Sequence, residues 1–157
     1  PDRWRARLKE LTGRDPLFTI LKVEPLGPKK LLDALVVAPC TGTTLARLAN
    51  ALSDTPVTMA AKATLRNRRP VVLAVSTNDG LGLNALNLAL LMNVKNVYFV
   101  PIGQDNPMEK PNSLVAHLDL VLPTLLEALQ GRQVQPVLVP WAGRRAAAEK
   151  PVQEVVR

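Results

Sequence analysis

One cysteine and one histidine occur among the 157 residues, and those scarcities exclude a good deal of chemistry. Cys40 can form no internal disulfide, which agrees with a reducing compartment. His117 has no second His or Cys at metal-ligand spacing, so a zinc centre lacks its donors. One histidine beside many hydroxyls is likewise no Ser-His-Asp constellation. Aromatics are sparse, with two Trp, one Tyr and two Phe, so the basic and aromatic interleaving that stacks bases is missing. No apolar run approaches the ~20 residues that span a bilayer, and the N-terminus lacks the order of a signal peptide. The expectation is a cytoplasmic protein with no membrane and no nucleic acid among its partners.

What is present suits a globular domain: 47% of residues are hydrophobic and 21% charged. The net charge of +7 lies mostly at the ends. Residues 1–30 have an excess of +4, residues 31–140 of +1 and residues 141–157 of +2. A nearly neutral middle with basic ends fits a solvated surface or a face for an acidic partner. One domain over residues 1–140 and a mobile basic tail over 141–157 are expected.

The first segment, "PDRWRARLKELTG", reads as a helix with Trp4, Leu8 and Leu11 on one side and Gly13 as its stop. The prolines of "RDPLFTILKVEPLGPKK" allow a short helix and a loop. From Leu31 the pattern becomes regular. "LLDALVVAP", "VVLAVS" and "VKNVYFVP" are short apolar runs without alternation, as parallel strands covered on both faces should be. Helices fall between them: one capped by Thr43 or Thr44, one through "VTMAAKATLRN" and one through "LNALNLALLMN". A helical region from Ser113 to Gln130, interrupted near Pro123, comes next, and "VQPVLVP" is an extended edge strand or arm. Strands linked by helices form parallel sheets with right-handed crossovers, so the fold class is α/β, doubly wound and parallel.

Ligands of such sheets sit beyond the carboxyl ends of the strands. Here those ends are "PCTGTT", "STNDGLG" and "PIGQDNP". In the first, Thr41, Gly42, Thr43 and Thr44 could hold an anion on hydroxyls and first-turn amides, or merely make a capped turn. No Walker lysine and no G-x-G-x-x-G accompanies them. In the second, Ser76, Thr77 and Asn78 could contact a ring or carboxylate, or Asn78 and Asp79 could form an Asx turn. Cys40 beside a helix start is either a lowered-pKa thiol or a small core residue. Lys62 and Arg66, one helical turn apart, are either an anion clamp or a solvated face. The leucines of "LNLALLM" exceed one buried stripe, which fits a subunit interface or an internal helix.

From about the first helix to Val139 the chain resembles the B-subunit family of dipicolinate synthases, flavoprotein-like subunits of spore-forming bacteria. The most specific pieces are "LANALSDTPVTMAAKATLRN", "STNDGLGLN" and "GQDNPMEKPNS". That family is in turn similar to the flavin-containing cysteine decarboxylases, whose fold is flavodoxin-like, Rossmann-like and three-layered. "PCTGTT" stands where the decarboxylases have P-A-S-A-N-T, matching at Pro39 and Thr44. "VSTNDGLG" stands where they have P-x-M-N-x-x-M-W, matching at Asn78 alone. These departures argue against oxidative decarboxylation of a cysteine. The resemblance implies FMN at Thr41, Gly42, Thr43, Thr44, Ser76, Thr77 and Asn78. It also implies a nicotinamide-binding A subunit carrying NAD(P) and production of dipicolinic acid from a dihydrodipicolinate precursor during sporulation, while the surplus leucines make a homo-oligomer the expectation. The family opens with a strand, a hydroxyl-rich loop, a helix and another strand ahead of the first residue here. An N-terminally incomplete domain with one unpaired sheet edge is therefore expected.

Overall fold

The structure, a computed structural model, describes residues 2–140. The expected tail over 141–157 lies outside the described residues. Helix α1 (Asp2–Thr12) ends at Gly13, whose φ of +66° suits a residue without Cβ. Its apolar side finds no core: Trp4, Leu8 and Leu11 stay 71%, 49% and 66% exposed. The short α2 (Ile20–Val23) runs into a 3-10 turn over Glu24–Leu26. There Gly27 lies against Ala63, and its carbonyl accepts from the Asn67 amide at 2.9 Å.

Five strands form one sheet with helices on both faces: β1 (Leu35–Cys40), β2 (Val71–Thr77), β3 (Val97–Phe99), β4 (Ile102–Gly103) and β5 (Leu114–Ala116). Strand β2 is central, with β1 and β3 parallel to it. Alternate β2 residues serve different cores. Val71, Leu73 and Val75 face α3 (Gly42–Ala49), α4 (Pro56–Arg66) and α5 (Asn84–Met92), whereas Val72 and Ala74 pack with Ala128 of α6 (Val121–Leu129). Both sets are buried, so the β2 run is apolar throughout, as a doubly covered strand requires.

The fold is the expected doubly wound α/β arrangement, with a sheet that is mixed rather than parallel throughout. β5 runs antiparallel to β2 through Ser76↔Val115 and Thr77↔Leu114, and antiparallel to β4 on its other side. It lies inside the expected helical region from Ser113. Three residues are too few to display a strand period, and the leucines around them mimic helical spacing. Nor does Pro123 interrupt a helix. It lies in the first turn of α6, where its missing N–H removes no intrahelical bond. The segment after Gln133 is an edge: Ile102 donates to Val137 and accepts from Val139, both at 2.8 Å.

Strand β1 pairs with β2 alone among the described residues, leaving its other edge free. Its register shifts between Val37↔Leu73 and Cys40↔Val75, one extra residue being absorbed at Ala38 and Pro39. Proline has no N–H for a ladder, so a bulge falls there naturally. The bulge turns Cys40 into the core and delivers Thr41 to the start of α3.

Candidate functional site

Three chain reversals meet at the carboxyl ends of β1 and β2, with backbone of the first packed on side chains of the second. Gly42 lies against Thr77 and Asn84: a Cβ there would fall 2.6 Å from Thr77 Oγ1 and 2.8 Å from Asn84 Nδ2. Any side chain at residue 42 would wedge α3 away from the β2 exit. The glycine thus serves loop-to-loop packing, where the sequence suggested approach to a ligand.

Thr41, not Thr43 or Thr44, caps α3. Its φ and ψ of −72° and 160° are extended, and its Oγ1 accepts from the Thr44 N–H at 3.4 Å. The two hydroxyls of Thr41 and Thr44 are 3.2 Å apart. In the first turn, the N–H groups of Gly42 and Thr43 precede any intrahelical acceptor and point out of the helix start. The Thr43 side chain is exposed and has no protein partner among the described residues.

The β2 exit is organised around Asp79. Its N–H donates to Thr77 Oγ1 at 3.3 Å. One carboxylate oxygen accepts from the Leu83 N–H and the other from the Asn84 amide, each at 3.2 Å, while Asn84 Oδ1 accepts from Asn87 at 3.0 Å. Leu83, the residue before α5, has no side-chain cap, and the Asp79 carboxylate supplies the missing acceptor and favourable charge. Asp79 is therefore a structural acid, although it accepts from the Leu83 N–H four residues on and from the Asn84 side chain and does not close the Asx turn that was the alternative. Ser76 and Asn78 are left without side-chain partners among the described residues, and Asn78 is exposed.

The third wall is the loop "PIGQDNP" with Ser113, a strand end placed from the sequence without any of its residues being singled out. Ser113 is buried, and its hydroxyl stands between the Thr77 carbonyl, at 3.4 Å, and the Asp105 carboxylate. The hydrogen bond from Ser113 is the main reason Asp105 titrates below its usual range, with nearby Lys110 adding to it. Gln104 ties this loop to the Pro111 carbonyl at 2.8 Å. A hollow of about 180 Å³ lies beside it, lined by Gly103, Gln104, Asp105 and His117. His117 is exposed and precedes a 3-10 turn over Leu118–Leu120, rather than sitting within a helix. The only signal for this wall was the polar composition of "PIGQDNP".

Cys40 is fully buried, and burial pushes its thiol up to about 12. That removes the reactive-thiolate alternative, since the helix start beside it does not offset desolvation. No group of three or more potential metal ligands occurs among the described residues.

The fold and the loop positions define a flavoprotein-type α/β domain, and known proteins of that class match it. The flavoprotein family matches residues 10–120. The chain is 55% identical over 136 residues to the dipicolinate synthase B subunit of Bacillus subtilis, covering 87% of this chain and 68% of that protein. The crystal structure of the dipicolinate synthase B subunit from Bacillus halodurans superposes with a TM-score of 0.85 at 51% identity, over 87% of this chain and 70% of that one. A crystal structure of the FMN-dependent cysteine decarboxylase SpaF shares the fold, with a TM-score of 0.57 at 20% identity over 79% and 71% of the two chains. The chain belongs to the flavoprotein family, in the branch formed by the B subunits of dipicolinate synthases.

The residues present fit one wall of a flavin site. Two outward amides at the α3 start and the Thr43 hydroxyl suit a phosphate or a ring oxygen, and the Asn78 amide suits a ring edge. The other hydroxyls, Thr41, Thr44 and Thr77, are already engaged within the protein.

Proposed function

We propose that this chain is the B subunit of a dipicolinate synthase, working with a nicotinamide-binding A subunit in the cytoplasm of a sporulating cell. The observation that carries the reading is the 55% identity to the Bacillus subtilis protein over 136 residues, 87% of this chain. The overall change would remove two hydrogens from a dihydrodipicolinate precursor to give the aromatic dicarboxylate, one leaving as hydride to oxidised NAD(P) on the A subunit and the other as a proton to water.

In this reading Gly42 and Thr43 offer backbone N–H groups to a flavin phosphate or a substrate carboxylate, Thr41 and Thr44 hold that turn in shape, and Asn78 orients a ring. Thr77 and Ser76 set the distance between the two loops. FMN bound here would supply two-electron redox chemistry. Leu83 and Leu86, 90% and 68% exposed beside and on α5, support a homo-oligomeric contact.

A scaffold role, stabilising the A subunit without chemistry, is favoured by one observation: Asp79, Asn84 and Thr77 are satisfied among themselves, leaving few polar groups free. One experiment separates the readings. The full-length protein is prepared with and without its A subunit, and bound flavin and dipicolinate formation are measured in the same samples. A yellow preparation, with activity that needs both proteins and drops on Asn78→Ala, supports the catalytic reading. Full activity of the A subunit alone removes it.

A further inference from the structure

At the opposite end of the strands, α3, α4 and α5 surround a larger hollow of about 500 Å³, reached past the first residues of β2 and β3, Val71 and Val97. Its lining is almost wholly apolar. The apolar surface also spills onto the rim, where Leu52, Leu90 and Val94 are 52%, 49% and 41% exposed. Lys62 and Arg66 line the same hollow from α4, and among the described residues neither has a carboxylate within ion-pair distance. Arg66 also borders an adjoining concavity of about 540 Å³, formed with Lys30, Asn67, Arg68 and Arg69. Among the described residues, Arg69 alone of these cations has an acid nearby, Asp33 at 3.9 Å.

An apolar hollow, a wet leucine rim and a run of cations, of which Arg69 alone has an acid near it among the described residues, make a surface of defined chemistry. A single acyl chain with one anionic head would neutralise one cation and leave the rim leucines in water. A protein segment with several carboxylates and a bulky apolar anchor satisfies all three features, because interfaces place anchors in desolvated pockets and charges around them. We propose that this face docks an acidic segment of the partner protein, whose aliphatic or aromatic anchor enters the hollow between α3, α4 and α5. The inference rests on the B-subunit reading for the identity of that partner, and lies away from the loops assigned to flavin.

The test uses the full-length protein and its cognate A subunit, with association measured by titration calorimetry and sedimentation. Lys62→Glu/Arg66→Glu and, separately, Leu52→Asp should each weaken association by about 100-fold, since a reversed or buried charge at an interface costs several kcal/mol. Unchanged melting temperature and flavin absorbance show that the fold and the flavin loops are intact. Association of the unaltered pair should weaken as salt is added. Equal affinity of the variants and the unaltered protein overturns the docking assignment while leaving the B-subunit reading in place. Failure of the unaltered pair to associate at all overturns both. Two further outcomes also overturn the assignment: dodecanoate binding lost in the variants while the A subunit still binds, or loss of self-association alone.

Discussion

Gly42 and Thr77 stand so close that a methyl group on residue 42 would lie 2.6 Å from the threonine Oγ1. The contact joins the start of α3 to the exit of β2, so the two loops form one polar floor. We expect Gly42→Ala to cost about 1–3 kcal/mol, as overpacking in a fitted contact does. Thr77→Ala should recover part of it, because the nearest obstructing atom is removed while Asn84 remains. Denaturation of the single and double variants tests this: strict additivity would mean the two loops are not in contact.

Asp79 organises the β2 exit through its carboxylate. Asp79→Ala leaves the Leu83 N–H and the Asn84 amide without their acceptor. A loss of about 1–3 kcal/mol is expected, with the first turn of α5 exchanging its amide hydrogens faster. Asp79→Asn retains an acceptor oxygen but loses the charge at the helix start, and should fall between the two. Hydrogen exchange at residues 83–87 is the direct measurement.

Cys40 should behave as a core residue. In the native protein at neutral pH it should resist alkylation, and react at an ordinary rate once unfolded. Its pH effect follows from a folded-state value raised from 9.0 to about 12. Above pH 9.0 the unfolded thiol loses its proton while the folded one keeps it, so the native state binds more protons and stability falls as pH rises. The decline should be about 1.4 kcal/mol per pH unit across that window, and Cys40→Ala should abolish it. An alkaline melting series on both proteins reads the difference.

The architecture was legible where hydrophobic pattern alone dictates structure. The β2 run Val71–Val75 is apolar at every position because both of its faces are covered, and α4 forms over the stretch "VTMAAKATLRN" read as a helix, with Pro56 in its first turn; its capping box of Thr55 and Thr58 shows only in the structure. β5 was hidden because its three residues owe their conformation to the gap between β2 and β4, which no local pattern encodes. The same holds at the site. The loops around Thr41 and Asn78 could be placed at the strand ends, but which hydroxyls are consumed internally depends on contacts such as Gly42 on Thr77. Thr41 rather than Thr43 caps α3 because the bulge at Pro39 sets where the helix can begin. The unpartnered stripe of Trp4, Leu8 and Leu11 shows the reverse case, a clear helical period whose burial the described residues do not supply.

Asn78 offers the cleanest separation of structure from function. Its side chain is exposed and has no protein partner among the described residues, so Asn78→Ala should leave the melting temperature of the full-length protein within measurement error. If the amide orients a flavin ring, the same substitution removes one or two hydrogen bonds to the ligand, worth about 0.5–1.5 kcal/mol each and hence a flavin affinity weaker by roughly twofold to 150-fold. Thr43→Ala should act in the same direction through the phosphate end, whereas Thr41→Ala should lower affinity and stability together, because its hydroxyl caps α3. Flavin titration followed by visible absorbance, beside thermal melts of the same three variants, distinguishes the roles. Unchanged affinity in both Asn78→Ala and Thr43→Ala would remove these loops from the flavin site and favour the scaffold reading.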